Sequence, residues 1–87
     1  MKSTTVKEFA LLTGGQLLQG DPDQMVDGVS TDTRKLGEGD AFFALVGERD
    51  GHDFLDNARK AGCRTVVVSK EVDLPEDTAV IRVEDTL

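Results

Sequence analysis

The run Ala41-Phe42-Phe43-Ala44-Leu45-Val46 is six consecutive apolar residues with no polar alternation. A strand with one wet face alternates, so this run predicts a central strand covered on both faces. Thr65-Val66-Val67-Val68 is rich in β-branched side chains and predicts a second strand. Between them, residues 53–61 place Phe54 or Leu55, Ala58 and Ala61 at helical spacing, with Asp53 as a candidate N-cap and Gly62 as the stop. Strand, helix, strand in that order is a βαβ unit with a parallel pair.

The flanking segments extend this unit. Thr5 and Glu8 fit a capping box, and Val6, Phe9, Ala10 and Leu11 or Leu12 follow at helical spacing up to Gly14-Gly15. A short amphipathic helix over 5–13 is expected. Gln16 to Gln19 reads as a weak strand ended by the turn Gly20-Asp21-Pro22-Asp23. Met25 to Thr31 has strand character, with Gly28 marking a bulge or a close backbone approach. Asp32 to Gly39, Gly47 to Gly51 and Asp73 to Asp77 read as polar loops, and Ala79 to Val83 as a last strand. The fold class expected is α/β: a small single domain with a short mixed β-sheet and flanking helices.

At 87 residues the chain makes one domain at most. No apolar run approaches the roughly 20 residues of a membrane helix, and Met1 to Val6 has no apolar signal core, so a cytoplasmic location is the expectation. The formal net charge of −7 and an aromatic content of four Phe alone argue against generic nucleic-acid binding. Against this acidic background Arg34, Lys35, Arg49 and His52 fall in one stretch. A local basic site on an acidic domain favours a small anionic ligand and repels bulk polyanions.

Cys63 and His52 are each the single residue of their kind, which excludes an intramolecular disulfide and a Cys/His zinc site. Cys63 is expected to be a small buried apolar residue. The carboxylates show no spacing that defines an acid–base couple, and Gly14-Gly15 does not run into Gly-Lys-Ser/Thr. No catalytic residue and no metal site is therefore expected in this chain.

Two segments carry binding chemistry. Ser30, Thr31 and Thr33 offer hydroxyls that donate and accept in the small space around a uracil-like ring or a ribose, and the planar fork of Arg34 suits a phosphate. The alternative is that Asp32 and Arg34 form a loop ion pair while the hydroxyls shape the turn. Asp50-Gly51-His52-Asp53 opens the second helix, where free N–H groups attract anions and Arg49 and His52 add positive character. Its own carboxylates argue instead for a capped helix start with a solvated His.

At these residues the chain resembles a known family. Ser30-Thr31-Asp32-Thr33-Arg34-Lys35, Gly39-Asp40 with Phe42 and Phe43, Gly47-Glu48-Arg49, Asp50-Gly51-His52-Asp53-Phe54, Ala58 and Ala61-Gly62 stand in an order similar to the N-terminal domain of the Mur ligases. The likeness runs from about Thr5 to Leu87. It implies a domain, residues 1–87, that holds the uridine diphosphate end of a UDP-MurNAc-peptide. The family's central ATPase and C-terminal domains are not matched by any residue here. ATP and Mg2+ would act in the full-length enzyme, which phosphorylates the peptide carboxylate before an amine attacks the acyl phosphate.

Within the family, members that add D-alanyl-D-alanine match best, and members that add the third peptide residue are the alternative. A non-catalytic interaction module is a reading from a different class. The resemblance places Ser30, Thr31, Asp32, Thr33 and Arg34 in the loop near the uracil and Glu48, Arg49 and Asp50 in the loop closing over the uridine. Gly51 and His52, with Asp50, fall near the diphosphate. The loop is one residue shorter than is usual in the family, since Asp50 follows Arg49 directly. Glu84-Asp85-Thr86-Leu87 reads as the start of a further helix, so the chain is expected to be part of a longer protein and to have no ligase activity alone.

Overall fold

The computed structural model describes residues 3–37, 39–44 and 54–84. Its elements in chain order are β1 (Thr4–Thr5), α1 (Val6–Thr13), β2 (Gln16–Gln19), β3 (Met25–Val26), β4 (Gly28–Ser30), β5 (Asp40–Phe43), α2 (Leu55–Lys60), β6 (Thr65–Val68) and β7 (Ala79–Arg82). A 3-10 turn over Thr33–Lys35 lies between β4 and β5. Five strands form one sheet in the order β2-β7-β6-β5-β4, and β1 and β3 form a separate two-stranded pair. The pairs β4–β5, β5–β6 and β6–β7 are parallel, while β2 runs antiparallel to β7. The sheet is thus mixed, and β5-α2-β6 is the βαβ unit expected from the sequence.

The continuous apolar runs feed two cores, one on each side of the sheet. Val67 joins Val6, Phe9, Ala10, Val26, Ala41, Ala79 and Ile81 on the face covered by α1 and the β1–β3 pair. Val66 and Val68 point the other way, to Phe42, Ala44, Leu55, Ala58, Cys63 and Val80 under α2. Successive side chains on a strand alternate between faces, so a strand buried on both sides must be apolar throughout. Steps from β4 to β5, to β6 and to β7 all progress in one direction across the sheet. Right-handed crossovers taken in one direction lay their connections on one face. Accordingly Leu36, Phe54, Val72 and Leu74 from the three connections pack on the same core as α2.

α1 begins at Thr5, whose hydroxyl accepts the Glu8 N–H at 3.2 Å, and ends at Gly14 in the left-handed conformation (φ 72°). Glu8's carboxylate accepts from the Thr4 hydroxyl at 2.8 Å. Its buried stripe is Val6, Phe9 and Ala10, and the ring of Phe9 meets Phe43 edge to face with centroids 6.0 Å apart. Leu11 and Leu12 do not belong to that stripe; they are 74% and 78% exposed. The i, i+3, i+4, i+7 series from Val6 ends on Thr13, which puts both leucines on the outer face.

Two further expectations change. The strand expected over Met25 to Thr31 is broken at Asp27, so that β3 pairs with β1 and β4 with β5. In α2 the buried residues are Leu55 and Ala58, while Ala61 is exposed and ends the helix as its C-cap. The Asp53 N-cap, the rest of the apolar run at Leu45 and Val46, and the helix start expected at Asp85 or Thr86 lie outside the described residues. Cys63 is fully buried, as expected, with its sulfur 3.0 Å from the Thr65 carbonyl oxygen. Burial pushes its thiol pKa up. Among the described residues no helix is long and apolar enough to cross a membrane.

Candidate functional site

The four parallel strands share one carboxyl edge, marked by Ser30, Phe43, Val68 and Arg82. Crevices beyond the carboxyl ends of parallel strands are where open α/β sheets take ligands. Ser30 to Arg34 leaves β4 at that edge. Ser30 Oγ accepts the Asp32 N–H at 3.1 Å and donates to the Asp32 carbonyl oxygen at 3.0 Å. That carbonyl also accepts the Lys35 N–H at 3.1 Å, closing the turn.

Asp32 caps the 3-10 turn and holds Arg34 with the same carboxylate. Its Oδ1 accepts the Arg34 backbone N–H at 2.9 Å and Nε–H at 3.1 Å, and Oδ2 accepts from Nη2 at 3.0 Å. These side-chain and backbone hydrogen bonds from Arg34 lower the Asp32 pKa from 3.8 to about 2. The same partnership raises the Arg34 pKa. The Arg34 side chain is otherwise 86% exposed. Thr31 is exposed beside it, and Thr33 opens the 3-10 turn.

The geometry therefore brings together Ser30, Asp32 and Arg34 of the residues singled out in the sequence, and does so through contacts within the loop. The hydroxyl of Ser30 is committed to the turn, and so is one edge of the Arg34 fork. Glu48, Arg49, Asp50, Gly51 and His52 lie outside the described residues. Among the described residues no group of three or more His, Cys, Asp or Glu is placed to hold a metal ion.

One feature of the same edge was missed in the sequence. A cleft of about 480 Å³ lies at the far end from β4 and is lined by Gly14, Gly15, Gln16, Ser69, Arg82, Val83 and Glu84. The Gly14-Gly15 doublet reads in sequence only as a helix stop. Its place beside Arg82 follows from β2 running antiparallel along β7, a pairing that joins distant parts of the chain.

The family described as "Mur ligase family, catalytic domain" matches residues 25–85. The UDP-N-acetylmuramoyl-tripeptide–D-alanyl-D-alanine ligase of Bacillus subtilis (strain 168) is 43% identical over 90 residues, covering 100% of this chain and 20% of that enzyme. The enzyme of the same name from Escherichia coli (strain K12) is 44% identical over 79 residues, covering 87% of this chain and 17% of its own. The UDP-N-acetylmuramoyl-L-alanyl-D-glutamate–2,6-diaminopimelate ligase of Clostridium perfringens (strain 13 / Type A) is 36% identical over 72 residues, covering 82% of this chain and 15% of that ligase. Among solved structures, MurF from Acinetobacter baumannii superposes with a TM-score of 0.85 at 31% identity, over 99% of this chain and 19% of that one. The chain thus spans between 15% and 20% of the length of these relatives.

Proposed function

The chain belongs to the Mur ligase family, and from that premise we propose that it is the domain that anchors the uridine diphosphate end of a UDP-MurNAc-tripeptide. The enzyme it serves is a cytoplasmic, ATP-dependent ligase that adds D-alanyl-D-alanine in peptidoglycan precursor synthesis. The observation that carries this reading is the pre-folded Ser30–Arg34 turn at the carboxyl edge of the parallel sheet. It sets two Thr positions and an exposed guanidinium on one short loop, beside the carboxyl end of β5. A relative aligned over the whole chain is a D-alanyl-D-alanine ligase, which favours that reaction over addition of the third peptide residue.

The contribution is positional. Binding energy from a remote nucleotide is converted into orientation of the peptide carboxylate at a distant reaction centre. Thr31 and Thr33 meet the uracil or ribose, Glu48 and Arg49 close over the uridine, Arg34 with Asp50, Gly51 and His52 meets the diphosphate, and Ser30 and Asp32 hold the loop. ATP and Mg2+ do not fit these residues: the sequence has no Gly-Lys-Ser/Thr phosphate loop. They act in the remaining four-fifths of the ligase, in its central and C-terminal domains, and this chain alone forms no amide.

The test is an NMR titration of the labelled 87-residue chain with UDP, then UDP-MurNAc-tripeptide, with ATP as control. Shifts confined to 30–34 and 47–52 with both uridine ligands and none with ATP are expected. A chain that ignores both uridine ligands would remove the anchoring role and favour a non-catalytic interaction module.

A further inference from the structure

Arg34 is the one exposed cation of the turn whose guanidinium is already held by a specific partner. A guanidinium carries five N–H donors in a fixed plane. Asp32 takes the Nε–H and one hydrogen of Nη2, at 3.1 and 3.0 Å, so the Nη1–Nη2 end stays open to solvent on a side chain 86% exposed. An unrestrained arginine on a surface turn loses rotamer freedom when it binds; one clamped on its inner edge has lost it already. The clamp also fixes the direction in which the free edge points.

We propose that Asp32 is a positioning residue that presents the outer edge of Arg34, end on, to a nucleotide phosphate. This rests on the anchoring role above. The pair is close to neutral as a unit, so the turn offers directed donors more than net charge. That sets it apart from a bare cation in the sign of one substitution. Asp32→Asn keeps an N-cap side chain and an acceptor for the Arg34 backbone N–H, but removes the carboxylate that clamps the fork. If Arg34 acted only as a charge, losing the neighbouring negative charge would tighten binding of an anion. If Asp32 positions Arg34, the same change weakens it.

The experiment measures affinity of the full chain for UDP and for uridine, in wild type, Asp32→Asn, Arg34→Ala and the double variant. Uridine has no phosphate and reports the turn itself. Asp32→Asn and Arg34→Ala should each weaken UDP about three- to tenfold, the scale of one or two hydrogen bonds, and change uridine by less than about twofold. The double variant should be no weaker than Arg34→Ala, because Asp32 acts through Arg34. Equal or tighter UDP binding by Asp32→Asn overturns the positioning role while leaving the anchoring role intact. Equal loss of UDP and uridine also overturns it, since the residue then only shapes the turn. Wild-type chain that binds neither ligand removes the anchoring role and this inference with it.

Discussion

Gln19 and Thr78 are 59 residues apart in the chain and are joined through one side-chain amide, Gln19 Nε2 donating to the Thr78 carbonyl oxygen at 2.9 Å. The same nitrogen lies 2.8 Å from the Pro75 oxygen and 3.3 Å from that of Leu74. Parallel strands are usually bridged by a helix, yet β6 and β7 are bridged by a loop over 69–78. Backbone carbonyls in such a loop need partners from elsewhere. Gln19 supplies one from β2, and Arg59 of α2 reaches the same loop, donating from Nε to Thr78 Oγ1 at 3.0 Å. Gln19→Ala should therefore cost about 1–2 kcal/mol, read as a lower urea midpoint with unchanged slope, and should speed amide exchange over 74–78. A midpoint equal to wild type would mean that water replaces the amide at no cost.

Asp32 gives a titration with a defined sign. Its carboxyl pKa is lowered to about 2 by hydrogen bonds from Arg34. Whatever the pair adds is present above the ordinary carboxylate value and is lost as pH falls through about 2. A carboxyl-carbon NMR titration should place the Asp32 midpoint near 2, and Arg34→Ala should move it up toward 3.8. A midpoint that ignores Arg34→Ala would show that the ion pair is not formed in solution.

Cys63 should be chemically quiet. It is fully buried after α2, and burial raises its pKa, so little thiolate is available at neutral pH. A thiol reagent should react about a hundredfold or more slowly with the native chain than with the urea-unfolded one. Comparable rates would indicate that the turn between α2 and β6 opens freely in the native state.

The βαβ centre was legible in the sequence because its signals are local. Ala41 to Ala44 and Val66 to Val68 are apolar at every position, and no partner is needed to see it. The break at Asp27 was not legible, because it depends on distant groups: Ser3 Oγ donates to the Asp27 carboxylate at 2.6 Å and the Asp27 N–H donates to the Gly39 oxygen at 2.9 Å. Leu11 and Leu12 satisfy any hydrophobic pattern as a pair. Which face of α1 is buried is decided by where Phe9 meets Phe43.

The turn at Ser30 to Arg34 was legible as a cluster of binding chemistry with two open roles. Sequence gives the residue types but not the distances, and here the distances divide the roles. Ser30 and Asp32 spend their oxygens on the loop itself, while Thr31 and the outer edge of Arg34 are exposed. The cleft at Gly14, Gly15 and Arg82 had no sequence signal, since it forms only when β2 folds back along β7.

Two glycines that look alike in sequence, each following an element at a turn, should respond differently to alanine. Gly14 has φ 72° and open space where a Cβ would go, so Gly14→Ala meets only the left-handed backbone penalty, about 1 kcal/mol. Gly20 has φ 102°, and a Cβ there would lie 2.5 Å from Ala79 Cα and 2.7 Å from Ala79 Cβ. The obstacle is the backbone of β7, which cannot swing aside as a long side chain could. Ala79 is itself fully buried, so movement there would disturb the core on the α1 face. Gly20→Ala should thus add a clash to the backbone strain and cost about 2 kcal/mol or more. Urea denaturation of the two variants tests the ordering: Gly20→Ala must have the lower midpoint, and a reversed order would mean that β2 does not end against Ala79.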